Sequence, residues 1–255
     1  MKHDSNSKPQ SHAAPIVIRG LKKTFGSKAV LNGIDLSVEQ GKTLSVLGQS
    51  GTGKSVLLKL IIGLIKPDAG SIEIEGQNVA SISRDELNEV RKKMGFLFQN
   101  GALYDSLTVA QNVAFPLVRH TTLEREEREH RVHELLEQVG MAGDAAKMPS
   151  EISGGMQKRV GLARALALDP GIVLFDEPTA GLDPITADEI DGLIAELKKE
   201  RKMTSIVVTH DIHAVRFYSD RVVMLRDGNV AMDGTFQEFE KSKDKFIVRF
   251  LKTAA

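Results

Sequence analysis

The sequence predicts an α/β fold: a parallel β-sheet covered on both faces by helices, with a largely helical subdomain inserted into it. Three observations carry this reading. Strand-like runs alternate with helical stretches along the chain, the pattern of a parallel sheet wrapped by its crossover helices. The runs TLSVL (43–47) and IVLFD (172–176) carry no charge before their last residue, as strands buried on both faces do. From about Asn100 to Ser153 there is almost no strand signal. With 255 residues, 41% of them hydrophobic, the chain can fill one large core. The expected organisation is a disordered leader over 1–15, a main domain over 16–235 with the helical insertion at about 100–158, and a helical tail over 236–255.

Taken in order, IVIRGL from Ile16 reads as the first strand. TLSVL leads directly into a glycine-rich loop and then the helical SVLLKLIIGLI (55–65). SIEIEG (71–76) alternates apolar and polar residues, as a half-exposed strand does, and MGFLF (94–98) is a further strand. TTLEREEREHRVHELLEQV (121–139) reads as a helix with an apolar stripe of Val132, Leu135, Leu136 and Val139. After IVLFD, ITADEIDGLIAELKKE (185–200) places Ile190, Leu193, Ile194 and Leu197 at helical spacing. SIVVTH (205–210) and RVVMLRDG (221–228) complete the strands. KSKDKFIVRFLK (241–252) is a short basic amphipathic stretch, expected to pack on its own subunit or a neighbour.

Composition excludes several functions. The 34 basic and 34 acidic residues cancel, which argues against a nucleic-acid partner. There is no cysteine, hence no disulfide, thiolate metal site or cysteine nucleophile. LLKLIIGLI (57–65), the longest apolar run, is interrupted by Lys59 and far shorter than the roughly 20 residues that cross a bilayer. The polar first residues lack the apolar core of a secretory signal. His130 and His133 lie one turn apart, but EREEREHRVHE reads as a solvated helix face.

GQSGTGKS (48–55) matches the phosphate-binding P-loop in full, with a strand before it and a helix after it. Backbone N–H groups of Gly48, Gln49, Ser50, Gly51, Thr52 and Gly53 can turn inward around phosphate oxygens, aided by the helix dipole. Lys54 would neutralise the β- and γ-phosphates of ATP, and Ser55 would ligate Mg2+. IVLFDE ends a buried strand in two carboxylates, where ligands sit in such sheets. Asp176 is placed to hold the metal and Glu177 to act as general base on water. In isolation, Asp-Glu would merely end a strand; the P-loop upstream gives the pair its meaning.

ISGGMQKR (152–159) resembles the ABC signature, usually LSGGQ, with Ile152 for leucine and Met156 for glutamine. The P-loop, this segment, the acidic strand, AGLD (180–183) and His210 stand in the order of the ABC ATPases, and the resemblance covers about Ile16 to Thr235. It implies a RecA-like parallel-sheet core, an N-terminal antiparallel β region and the inserted helical subdomain. It also implies a homodimer of two half-sites, in which Ser153, Gly154 and Gly155 face the γ-phosphate on the other subunit's P-loop. A serine and two glycines before a helix are by themselves an ordinary cap. Gln99 matches the Q-loop, whose amide reaches the metal or water. His210 matches the switch histidine and Asp183 the D-loop, for which a turn acid before Pro184 is the plain alternative. Phe25 stands where the family stacks an aromatic on adenine, with a core phenylalanine as its competitor.

A finer resemblance lies in MGFLFQNGALYDSLTVAQNVAFPLVRH (94–120) and MPSEISGGMQKRVGLARALALDP (148–170). These stretches look like the ATPases of Mla-type systems, which move phospholipid between the inner and outer membranes of Gram-negative bacteria. That resemblance implies an integral-membrane permease, a STAS-domain protein and an MCE-domain lipid-binding protein as partners. The ATPase would then be peripheral on the cytoplasmic face of the inner membrane. Alternatives are an importer ATPase for a small polar solute, a lipoprotein-release ATPase, a non-transport regulator acting by ATP-dependent dimerisation, and an inactive ATP-binding module.

Overall fold

The computed structural model of the protein describes residues 14–253, so the expected leader falls almost wholly outside it. Two sheets share the molecule. Strands β1 (Ile16–Phe25), β2 (Lys28–Val38), β4 (Ala69–Ile74) and β5 (Gln77–Asn78) form an antiparallel sheet in the order β2-β1-β4-β5. Strands β3 (Thr43–Leu47), β6 (Met94–Leu97), β7 (Ile172–Asp176), β8 (Thr204–Thr209), β9 (Arg221–Arg226) and β10 (Asn229–Gly234) form the second, in the order β10-β9-β3-β8-β7-β6. All of its pairings are parallel except the β9–β10 hairpin. The sheet is therefore mixed, and SIEIEG belongs to the antiparallel layer rather than to it.

Neither β2 nor β10 is among the strands read from the sequence. The Asn32-Gly33 pair inside β2 reads as a turn, but the strand bulges there, with Gly33 at φ 87° and the register against β1 shifting between Leu21 and Lys22.

The side-chain alternation of the central strands divides the core in two. Ile172 and Leu174 of β7 pack with α1 (Lys54–Ile61) and the antiparallel sheet, and Val173 and Phe175 pack on the opposite face. Ile206 and Val208 of β8 divide from Val207 in the same way. The first face holds Leu57, Leu58, Leu60 and Ile61 of α1, with α2 (Arg84–Lys92) beside it. The second is covered by α3 (Val109–His120), α4 (Arg125–Gln138), α5 (Gly154–Ala165) and α6 (Pro184–Arg201). Between β6 and β7 lie only α3, α4, α5 and short 3-10 turns.

Two helices are shorter than expected. α1 stops at Ile61 because Gly63 adopts φ 69° and Leu64 N–H reaches back to the Lys59 carbonyl, leaving Leu64 exposed. α4 begins at Arg125, not 121, because the Thr121 hydroxyl closes α3 on the Leu117 carbonyl and Glu124 caps the next helix with Glu127. After β8 come α7 (Ile212–Tyr218), then α8 (Phe236–Glu240) and α9 (Lys245–Thr253). Ile247 and Phe250 of α9 bury against Leu47, Ile212, Val222 and Phe239, so the tail packs on its own subunit.

Candidate functional site

Three parallel strands, β3, β7 and β8, deliver their C-terminal ends to one place. β3 runs into the P-loop, β7 ends at Asp176, and β8 ends one residue before His210. All residues of the three strands are buried, so their register is set by packing on both faces.

In the loop, Gln49, Ser50 and Gly51 are exposed, Thr52 is half-buried, and Gly48 and Gly53 are buried. Gly53 has φ 100°, and a Cβ there would meet Val30 Cγ1 at 2.9 Å; no other residue fits the turn into α1. The Thr52 hydroxyl donates to the Gln49 carbonyl at 2.8 Å and helps hold the loop. Lys54 is 6% exposed, and its Nζ donates to the Gly48 carbonyl at 2.7 Å and the Gln49 carbonyl at 3.3 Å. The same ammonium lies 3.4 Å from Glu177 Oε1. A buried cation enclosed by this glycine-rich loop is suited to a polyphosphate.

Ser55 Oγ donates to Asp176 Oδ1 at 2.7 Å, across 121 residues of sequence. Burial pushes the Asp176 carboxyl above its ordinary range, the Ser55 hydroxyl pulls it back, and the adjoining Glu177 carboxylate pushes it up again. These adjacent hard oxygens, a hydroxyl and a carboxylate beside a phosphate cradle, are the donor chemistry that Mg2+ takes.

Glu177 stands just beyond β7 in the left-handed region, at φ 48°, uncommon for a residue with a side chain. Its N–H is held by the Val208 carbonyl at 2.9 Å. Oε2 is 2.8 Å from His210 Nδ1 and accepts the His210 backbone N–H at 3.3 Å. Lys54, Glu177 and His210 thus form a connected polar set at the strand ends.

The other expected residues lie around this set. Gln99 is exposed in the turn after β6, and its backbone carbonyl accepts from Lys158 Nζ. Ser153 caps α5, its hydroxyl accepting the Met156 N–H at 3.3 Å; Ser153 and Gly154 are exposed and Gly155 is buried. A Cβ on Gly155 would come within 2.4 Å of Thr186 Cγ2, so α5 and α6 touch there. Met156 is partly buried among the helical insertion's apolar residues. Asp183 caps α6, accepting Ile185 and Thr186 N–H at 3.1 Å and the Thr186 hydroxyl at 2.6 Å. These bonds, the hydroxyl's first, hold its carboxyl below the ordinary range. Phe25, at the end of β1, is 49% exposed with Lys23 Nζ 5.4 Å from its ring centre, so it is not a core residue. His130 and His133 are exposed and pair only with Glu134 and Glu137 on α4; among the described residues no group of three or more His, Asp or Glu side chains is placed to hold a metal.

Sequence reading missed Lys158. It is 4% exposed, and its Nζ donates to the Gln99 and Glu177 carbonyls, the latter at 3.2 Å. Burial lowers its pKa to about 8 against the pull of the Asp176 and Glu177 carboxylates. The signal was a lysine between Gly155 and Gly161 on the buried stripe of α5, at i+3 spacing. Beside Gln99 lies a groove, lined in part by Phe96, Phe98, Tyr104, Phe115 and Arg164, with the Tyr104 and Phe115 rings 4.7 Å apart.

Comparison with known proteins agrees with this geometry. The family model for ABC transporters matches residues 31–180. The chain is 43% identical over 237 residues to the "Intermembrane phospholipid transport system ATP-binding protein MlaF" of Haemophilus influenzae, covering 93% of this chain and 90% of that one. It is 42% identical to the methionine import ATP-binding protein MetN of Brucella abortus, covering 89% of this chain and 62% of MetN. It is also 42% identical to the probable ribonucleotide transport ATP-binding protein mkl of Mycobacterium leprae, covering 92% and 68%. Among solved structures, the dimeric post-hydrolysis state of the ATP-binding cassette MJ0796, bound to ADP and Pi, superposes with a TM-score of 0.80 at 36% identity, covering 86% of this chain and 98% of that one. CbiO1 of Clostridium perfringens, part of the ABC transporter complex cbiONQ, gives 0.82 at 31%, covering 95% and 98%. With more than half its length matched by the family model and its fold shared with these cassettes, the chain belongs to the ABC transporter family, as an ATP-hydrolysing, ATP-binding subunit.

Proposed function

We propose that this ATPase powers phospholipid transport between the inner and outer membranes in an Mla-type complex. The observation that carries the reading is local. The groove beside Gln99 is built by Met94, Phe96, Phe98, Tyr104, Phe115 and Pro116, within the stretch that looks like Mla-type ATPases. The similarity to MlaF along 93% of the chain supports it. In this reading the groove receives a cytoplasmic segment of the permease, and two copies of the chain act together with a STAS-domain protein and an MCE-domain lipid-binding protein. No helix among the described residues is long and apolar enough to cross a membrane; in this reading the chain attaches to the cytoplasmic face through the permease.

Within the site, Lys54 and the loop amides from Gly48 to Gly53 bind the ATP phosphates, with Phe25 against the adenine. Ser55, Asp176 and Gln99 would hold Mg2+, which when bound supplies charge neutralisation at the β- and γ-phosphates. Glu177 orients a water and takes its proton as the water oxygen bonds to the γ-phosphorus and the bond to the β–γ bridging oxygen breaks, giving ADP and phosphate. His210, hydrogen-bonded to Glu177 at 2.8 Å, fixes that carboxylate and stabilises charge on the γ-phosphate. Ser153, Gly154 and Gly155 face the partner's nucleotide, and Asp183 lies across the dimer interface.

Glu177→Gln is expected to lower kcat by at least about 100-fold with ATP still bound, the loss of a general base; an unchanged steady-state rate sinks that assignment. Membranes solubilised in detergent and purified through this chain are expected to yield a multi-span permease, an MCE-domain protein and phospholipid. Recovery of a soluble-solute permease instead, or of cell-wall hydrolase regulators, overturns the lipid reading. MetN and mkl, at 42% identity, keep an importer of a small polar solute as the second reading.

A further inference from the structure

Lys158 is a charged residue that the mechanism above does not use, yet it is 4% exposed and lies within the site. Its Nζ donates to two backbone carbonyls from different parts of the chain, Gln99 after β6 and Glu177 after β7. It forms no ion pair with either neighbouring carboxylate within bonding distance, so its work is done on the main chain.

What it holds at Glu177 is strained. The residue sits at φ 48°, where a side chain costs energy, and persists only because its surroundings pin it. Three bonds do so: Val208 O to its N–H at 2.9 Å, Ala180 N–H to its carbonyl at 3.2 Å, and Lys158 to the same carbonyl at 3.2 Å. The first two come from the strand end and the following turn. Only Lys158 comes from α5, the helix whose N-terminus carries Ser153 and Gly154. The grip of α5 on the segment after β6 is extended by Arg164, which donates to the Gly101 and Ala102 carbonyls at 2.7 and 2.8 Å.

We infer that Lys158 is a positioning residue for hydrolysis: it ties the signature helix to the backbone of Gln99 and Glu177 in the same chain, so that the aim of the Glu177 carboxylate follows the position of α5. This rests on Glu177 being the base. A cation with several donors suits the task because two carbonyls distant in sequence are satisfied by one group. Its effect falls on the chemical step and not on nucleotide binding, since Lys158 makes no bond to the P-loop.

The test is steady-state ATPase kinetics of the full chain carrying Lys158→Met, Lys158→Arg or Lys158→Gln, with Glu177→Gln in parallel and thermal melting of each. Lys158→Met is expected to lower kcat at least ten-fold with KM for ATP within about two-fold. Lys158→Arg, which can still donate to both carbonyls, is expected to recover kcat to within about three-fold. Lys158→Gln, whose amide reaches one carbonyl, is expected to fall between them and decides the matter if the methionine variant does not fold. A methionine or glutamine variant with wild-type kcat overturns the inference. So does a loss in which KM rises in step with kcat falling and arginine gives no recovery, the mark of a damaged fold. If Glu177→Gln hydrolyses normally, the base assignment fails and this inference with it; if that variant is inactive and Lys158→Met is normal, only the role of Lys158 fails.

Discussion

Asp191 is 1% exposed on the buried stripe of α6, with the buried Tyr218 hydroxyl as its polar neighbour. Burial first, then the Asp211 and Asp188 carboxylates, push its pKa up to about 7, with Tyr218 pulling slightly the other way. The native state thus keeps a proton that the unfolded chain releases near the ordinary value of 3.8. Its contribution to stability is full below about pH 4 and is lost as pH rises towards 7. Asp191→Asn keeps the shape and removes the titration. It is expected to gain at least about 2 kcal/mol over the natural chain between pH 5 and pH 8, read from denaturation midpoints. An equal effect at both pH values contradicts the burial argument. Glu177 and Lys158 are buried as well, but there the buried charges are met by an opposite charge or by carbonyls.

At the scale of elements, the contact between α5 and α6 is set by one missing side chain. Gly155 lets α5 approach until a Cβ would lie 2.4 Å from Thr186 Cγ2, a contact no rotamer change of the alanine methyl can relieve. Gly155→Ala is expected to destabilise the chain by about 1–3 kcal/mol by overpacking. Adding Thr186→Ser, which removes the opposing methyl but keeps the hydroxyl bonded to Asp183 Oδ2, is expected to restore most of that loss. A double variant no more stable than the single one means that the glycine serves something other than this approach. α5 thus has two jobs: packing against α6, and carrying Lys158 and Arg164 to the segments after β6 and β7.

For the whole molecule, the exposed Ser153 and Gly154 at the start of α5 belong with a surface that a second copy covers in the dimeric reading. Ser153→Arg adds bulk and charge there without touching the P-loop. The variant is expected to bind ATP as a monomer as well as the natural chain does, while losing ATP-dependent dimerisation and transport. Light scattering in the Glu177→Gln background reads the dimer directly. A variant that still dimerises and transports refutes the shared-site model.

The local chemistry was legible in the sequence wherever backbone and side chain act together over a few residues. GQSGTGKS needs its glycines for a turn that no other residue makes, so the loop can be read without knowing the fold. IVLFDE reads as a buried strand because only a strand covered on both faces tolerates a run with no polar side until its end. The alternation of these runs with helices gave the parallel core, and the order of motifs gave the family. Strand β2 was not legible, because Asn32-Gly33 reads as a turn until a bulge accommodates it. Lys158 and Asp191 were not legible either, since a lysine or aspartate within a helical pattern is ordinarily a solvated face. Residues of the site 121 apart in sequence, such as Ser55 and Asp176, meet only because β3 and β7 both lie beside β8. The sequence by itself determined that this chain carries the P-loop motif, an acidic strand end and a signature-like helix start. Only the tertiary structure decided that Lys158 joins the last two and that Phe25 stays exposed, because burial and hydrogen-bond partners depend on which distant segments the packing brings together.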